Sequence, residues 1–323
     1  MAPPSHKDSD DIRIRAAADV VSRLTGAHVV SSEEIRRGYM NFKCRVRTEA
    51  GDDVMVRFYP RARSALVNFE PDLVARCHRA GIPVAQCIGD SRTGPPAPFA
   101  YMAYRRIEGE TLTDRMSSLG SSQAHSLAKE LAHCLHGLGA VEFDGVGDLV
   151  SGTTANAASW ESFVEDAMSL GLDSVHRHRL LAPQILSDLQ KVIRRGPPPE
   201  RQQSAARMVW GDINFENILV TSDGTLAGLI DFEGSLSGDP MATLGYALAA
   251  QGPSSFLGNV IATWPGFDAA RDHAVVAWYG LLRAMRLAPY AHLPLPTGLP
   301  RDPLVKIFPG LTSAIETLRA TAI

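Results

Sequence analysis

The 323-residue sequence has only four cysteines, Cys44, Cys77, Cys87 and Cys134, and no two of them form a CxxC pair. A disulfide framework or a zinc site needs paired thiols at closer spacing, so these read as reduced cysteines of a cytoplasmic protein. Long apolar runs are also lacking. None approaches the roughly 18 residues needed to span a bilayer, and no membrane partner is expected. Net charge is small, formally -3, which gives no electrostatic reason to expect a nucleic-acid partner. The basic stretches His176 to Arg179 and Lys191 to Arg195 are broken by apolar residues and read as the wet sides of helices. There is no GxxxxGK[ST] loop, no HExxH and no GxSxG, so P-loop kinase, zinc protease and serine hydrolase lose their sequence warrant.

What is present is ordinary for a globular chain, with 45% apolar and 21% charged residues and enough length for one large domain or two lobes. The polar residues 1–10 read as a flexible leader, with Ser9 or Asp10 capping a first helix that ends at Gly26. From about Ser31 the period becomes alternating. Phe42, Cys44 and Val46 share one face, as do Val54, Val56 and Phe58 after a turn at Ala50 to Asp53, which predicts two antiparallel strands. A helix over 68–80, stopped by Gly81 and Pro83, and a strand over Phe99 to Tyr104 complete a small α+β lobe over 11–105.

Residues 106–323 read as mostly helical. Leu127, Leu131, Cys134, Leu135 and Leu138 recur at helical spacing, and Trp160 to Leu170, Pro183 to Arg195, Pro240 to Ala250 and Asp272 to Leu287 are further helices. His136 reads as a packed, hydrogen-bonded core residue, Asp239-Pro240 as a helix cap, and His176 and His178 as too isolated for metal ligation.

The most informative segment is RMVWGDINFENILVTSDGTLAGLIDFEGSLSGDP, residues 207–240, holding a hairpin over 208–232. The strand after Asn217 and the strand ending at Asp231 are joined by a Ser222-Asp223-Gly224 turn. Such a hairpin sets Asn217 beside Asp231, and the short preceding loop keeps Asp212 within reach. Two carboxylates and a carboxamide, without histidine or cysteine, form a hard oxygen site suited to Mg2+.

This spacing resembles the protein-kinase-like superfamily, and WGDINFEN…IDFE…GDP resembles the aminoglycoside phosphotransferase and choline kinase family. The resemblance implies a bilobal protein-kinase-like α+β fold, with an antiparallel sheet and one main helix in the N-lobe. It implies a kinase moving the γ-phosphate of ATP or GTP to a hydroxyl of a small-molecule acceptor. By that resemblance Asp212 is the catalytic residue and Asn217 and Asp231 are the metal ligands. Arg37 to Phe42, with Gly38 and Asn41, matches the loop over the phosphates. Arg57 matches the strand cation and Glu70 its carboxylate partner, and the backbone of Met102, Ala103 and Tyr104 matches the linker that binds the adenine edge. Two positions depart from the family pattern. Trp210 replaces the usual histidine, which puts the loop geometry at issue, and Thr243 replaces an acidic residue, with a packing consequence expected.

An antibiotic is the expected acceptor, in resistance or self-resistance. A choline- or sugar-type metabolic kinase and a non-catalytic, nucleotide-binding pseudokinase are the alternatives. Acceptor contacts are expected from roughly 150–200 and 250–323, and the oligomeric state is left open. The link from Phe232 to Gly238 is too short to dock a peptide or to act as a phosphorylation switch through Ser235 or Ser237.

Overall fold

In the computed structural model, residues 6–35, 41–198, 206–293 and 308–320 are described. They fall into two compact units, Met1–Arg79 with Val84–Ile107, and Ala80–Pro83 with Glu108–Ile323.

The first unit is built on a sheet of order β1-β2-β3-β5-β4. No proline or glycine interrupts His6–Thr25, and this stretch is one helix, α1. The helix takes in residues 6–10 of the expected leader, and Ser9 and Asp10 lie inside it instead of capping it. Docking of Ala17, Val20 and Val21, all fully buried, carries the helix past the local capping signal. These side chains share a core with Cys44, Val46, Val54, Val56, Phe58, Tyr101 and Ala103.

The strands are β1 (Val29–Ile35), β2 (Phe42–Thr48) and β3 (Asp53–Tyr59), followed by the helix α2 (Glu70–Arg79). The strands β4 (Cys87–Asp90) and β5 (Ala100–Arg105) complete the sheet. Cys44 pairs with Val56 and Val46 with Val54, which puts the expected apolar faces together. α2 begins two residues later than expected, because Pro71 favours the first helical turn and a 3-10 stretch, Arg61–Asn68, precedes it.

In the second unit, β6 (Glu110–Thr111) leads through α3 (Leu112–Arg115) to α4 (Ser121–Gly137). His136 corrects the sequence reading. It is exposed on α4 and meets Trp264 edge-on, with ring centroids 5.4 Å apart. It follows the buried Leu135 by one residue, which turns it about 100° away from the core face. The strands β7 (Val146–Leu149) and β8 (Ala155–Ala157) precede the helices α5 (Trp160–His178) and α6 (Pro183–Arg195).

α5 is longer than the sequence suggests, because Gly171 is a packing residue and not a stop. A β-carbon there would collide with the Met285 carbonyl oxygen. Next come β9 (Arg207–Val209), β10 (Ile218–Val220), β11 (Leu226–Leu229) and β12 (Leu236–Gly238). The helices α7 (Met241–Gln251), α8 (Ser255–Ala262), α9 (Ala269–Leu287) and α10 (Leu311–Ala320) follow. The strands form two sheets, β11-β10-β6 and β8-β7-β12-β9. Residues 80–83 belong to this unit because Leu229 N–H donates to the Pro83 carbonyl at 2.8 Å. Among the described residues, no helix is long and apolar enough to cross a membrane.

Candidate active site

In the second unit, β9 delivers the chain to Trp210, Gly211 and Asp212. The turn here depends on Gly211, where a β-carbon would collide with the Gly234 carbonyl oxygen. Asn214 then accepts from Glu216 N–H at 2.9 Å and starts the 3-10 turn Phe215–Asn217. Asn217 is buried, and its carbonyl accepts from Ile230 N–H at 3.0 Å. The hairpin register, Ile218 opposite Leu229, thus brings Asp231 in directly after the residue facing Asn217.

The Asn217 side-chain amide donates to the Asp212 carbonyl at 2.9 Å and approaches Asp212 Oδ2 at 3.4 Å. That orientation leaves the amide oxygen as the donor toward a cation. Asp231 has φ 69°, a left-handed conformation that costs a non-glycine residue roughly 1–3 kcal/mol and persists only where the surrounding structure over-determines it. Among the described residues, no cluster of three or more His, Cys, Asp or Glu side chains forms a metal cage. The Asn217 and Asp231 oxygens fit a hard cation that takes few protein ligands and completes its shell with water and phosphate.

Trp210 is fully buried and anchors this half-site from below. Its Nε1–H donates to the Asp231 carbonyl at 2.9 Å, and its ring stacks on Phe232 with centroids 5.5 Å apart. Thr243 does more than the packing expected of it. Its hydroxyl accepts from Trp210 N–H at 3.2 Å, tying α7 to the loop. Asp239 caps α7 from one residue further out than expected, accepting from Met241 N–H at 2.9 Å and from the Tyr279 hydroxyl at 2.9 Å. The link to α7 contains β12, and Ser237 is fully buried, donating to the Gly145 carbonyl at 2.7 Å.

Sequence reasoning missed Arg283. Its Nη2 lies 3.1 Å from Asp212 Oδ1, with the guanidinium 5.4 Å from the Tyr246 ring centroid. The signal was available, since Arg283 interrupts the otherwise apolar run Trp278 to Met285. Burial pulls the Arg283 pKa down, and the Asp212 charge opposes that pull. A cavity of about 540 Å³ lies in the same unit, walled by Trp160, Met168, Leu172 and Trp278, with Glu161 and Glu165 contributing carboxylates. Its size falls within the range of small-molecule sites, roughly 300–1,000 Å³.

In the first unit, Arg57 and Glu70 meet in the core, Nη1 to Oε1 at 2.6 Å, with side-chain exposures of 2% and 1%. The Tyr59 hydroxyl donates to the other Glu70 oxygen at 2.6 Å. Asn41 is half-buried just before β2, and Gly38 lies outside the described residues. Met102, Ala103 and Tyr104 are not linker residues. They lie inside β5, paired with β3 on one edge and with β4 on the other, so their backbone groups serve the sheet. The apolar stretch that marks a buried strand was legible there, and the strand runs on to Arg105 before any linker begins.

A family model described as the phosphotransferase enzyme family matches residues 31–287. The chain belongs to that family. It is a phosphotransferase of protein-kinase-like α+β fold. No curated protein sequence matches it. Among solved structures, it resembles a thermostable mutant of aminoglycoside phosphotransferase APH(4)-Ia, with 14% identity, TM-score 0.66, and 94% and 97% of the two chains covered. It also resembles a candidate fructosamine-3-kinase from Thermobifida fusca YX-ER1, with 17% identity, TM-score 0.61, and coverage of 94% and 98%. A third is an aminoglycoside 2'-phosphotransferase-IIIa variant with GDP, with 15% identity, TM-score 0.63, and coverage of 96% and 97%. At these identities the phosphotransferase shares their fold.

Proposed function

We propose that this phosphotransferase moves the γ-phosphate of a magnesium-bound nucleoside triphosphate, ATP or GTP, to a hydroxyl of a small molecule, most consistently an antibiotic. The observation that carries this reading is the convergence of Asp212 and Asn217 at the end of a hairpin that returns through a left-handed Asp231.

Asp212 meets the acceptor hydroxyl, orients it toward the γ-phosphorus and takes its proton as the new O–P bond forms. The bond to the bridging oxygen breaks, and nucleoside diphosphate leaves. Because this transition state is loose, positioning outweighs base strength. Asn217 and Asp231 hold the magnesium. When bound, magnesium supplies neutralisation of charge on the phosphate oxygens. In the other unit, Arg57 serves as the phosphate-side cation, its fork held by Glu70, which Tyr59 fixes in turn. Asn41, just before β2, would contribute to the loop that covers the phosphates. The adenine edge falls to backbone beyond Arg105, where the β5 ladder ends.

The apolar cavity suits the acceptor body, and four cysteines outside any disulfide fit a reducing, cytoplasmic compartment. An antibiotic acceptor draws support from the solved complex of APH(4)-Ia with AMP-PNP and hygromycin B, which shares this fold. The candidate fructosamine-3-kinase likeness supports a metabolic sugar-type kinase instead. Expression in a sensitive host, scored against antibiotics bearing free hydroxyls, tests the reading. Resistance that disappears with Asp212→Asn supports it. Sensitivity to the whole panel, with phosphorylation of a sugar metabolite by the purified chain, would move the acceptor to the metabolic class.

A further inference from the structure

α9 passes through an apolar interior in which Trp278, Tyr279, Leu281, Leu282, Ala284 and Met285 are buried. Two arginines interrupt it one turn apart. A desolvated guanidinium is costly unless it is paired, so the partner of each arginine indicates its role. Arg286 is ion-paired with Asp148 and lies 4.9 Å over the Phe163 ring. Arg283, with its side chain 13% exposed, pairs with Asp212 at 3.1 Å. Asp212 Oδ1 thus faces Arg283 of α9, while Oδ2 faces Asn217 Nδ2 of the hairpin at 3.4 Å.

We propose that Arg283 is a positioning and specificity residue: it fixes the Asp212 carboxylate and restricts the reacting hydroxyl to one without an ammonium group beside it. This rests on the reading of Asp212 as the residue that meets the acceptor.

Positioning follows from the two contacts. Held from both ends, the carboxylate presents one set geometry to the incoming hydroxyl, which is where much of the rate in phosphoryl transfer arises. The charge follows from the chemistry of arginine, which stays protonated at any working pH. An isolated Asp212 would attract an ammonium next to the reacting hydroxyl. With Arg283 in place that attraction is cancelled. Relative to a site holding Asp212 alone, an ammonium roughly 6 Å from the guanidinium loses on the order of 100-fold at an effective dielectric constant near 20. The acceptor class is therefore a hydroxyl compound that is neutral or anionic around the phosphorylated position, with any amine placed remotely.

The test compares the full chain with Arg283→Lys and Arg283→Leu, each checked for native melting. The probes are hygromycin B with free amines, the same compound with acetylated amines, and water as the acceptor in slow nucleotide hydrolysis. The wild type is expected to show no preference for the free-amine form in kcat/KM. Arg283→Leu should create such a preference, on the order of 10- to 100-fold, through KM for the free-amine form. It should also lower kcat for every acceptor about 10- to 100-fold with the nucleotide KM unchanged, and Arg283→Lys should recover part of that loss. An unchanged kcat in Arg283→Leu, or a wild-type preference for the free amines that the variant retains, overturns the proposal. If hygromycin B in neither form is used, the hydrolysis rates decide, and an unchanged rate in Arg283→Leu overturns it. A wild type with no hydrolysis and no transfer at all would instead refute the kinase reading, and this proposal with it.

Discussion

The indole Nε1–H of Trp210 donates to the backbone carbonyl of Asp231 at 2.9 Å, so the residue that departs from the family pattern holds the aspartate proposed to bind the metal. That contact, with the Phe232 stack and the Thr243 bond, answers the question Trp210 raised in the sequence. The substitution is built into the loop.

Trp210→Phe keeps an aromatic ring against Phe232 but removes the donor. It is expected to cost about 0.5–1.5 kcal/mol in denaturant unfolding and to raise the magnesium concentration needed for half-maximal activity. Trp210→Ala, leaving a large hole at a fully buried site, should cost about 3–5 kcal/mol. A Trp210→Phe protein with unaltered magnesium dependence would separate the indole from the metal site.

Asp212→Asn preserves the volume at the turn while removing the charge and the proton acceptor. The expected loss in kcat is about 10²- to 10⁴-fold with little change in nucleotide KM, because the carboxylate acts on the acceptor. Steady-state kinetics with acceptor saturating distinguishes this from a nucleotide-binding role, in which KM for the nucleotide would rise together with the loss of turnover.

The buried Arg57–Glu70 pair makes a different prediction. Removing one partner leaves an uncompensated charge in a dry core, so Arg57→Met or Glu70→Leu alone should destabilise by about 3–5 kcal/mol. The double variant should be less destabilised than the sum of the two, and inactive if Arg57 serves the phosphates. Urea unfolding of the four proteins gives the cycle. Strict additivity would show that the pair is not coupled.

Much of the site was readable because its residues are close in sequence. Asn217 and Asp231 flank one hairpin, and hairpin geometry alone pairs its ends. Arg57 and Glu70 needed the resemblance, since β3 and α2 meet only in the tertiary fold. Arg283 stands 71 positions from Asp212, and nothing local ties the two together. The strands β7, β8 and β12, of three or four residues, are too short for periodicity to register and exist only by pairing with one another and with β9. The adenine-edge assignment failed for the opposite reason. The strand signal over Phe99 to Tyr104 was correct, and a residue paired on both edges has no backbone left to offer.

The thiols give a prediction independent of catalysis. Burial pushes Cys87 up to about 11 and Cys134 up to about 12, while Cys44 and Cys77 are buried. Only the thiolate alkylates, so at pH 8 roughly one Cys87 in a thousand is reactive. Iodoacetamide should leave the native protein almost unlabelled and modify all four cysteines in urea, as read by intact mass. Rapid labelling of Cys87 or Cys134 in the native state would contradict that placement.

The central claim is magnesium-dependent transfer of a γ-phosphate to a small molecule through Asp212, Asn217 and Asp231. The most direct measurement incubates the purified chain with γ-labelled ATP or GTP and a panel of hydroxyl compounds, with magnesium or with a chelator. Products are then separated by size and identified by mass. The account predicts label on a small-molecule acceptor that gains one phosphoryl group, abolished by the chelator, by Asp212→Asn and by Asp231→Ala. Label on protein instead, or transfer that survives Asp231→Ala with its magnesium dependence intact, would contradict it.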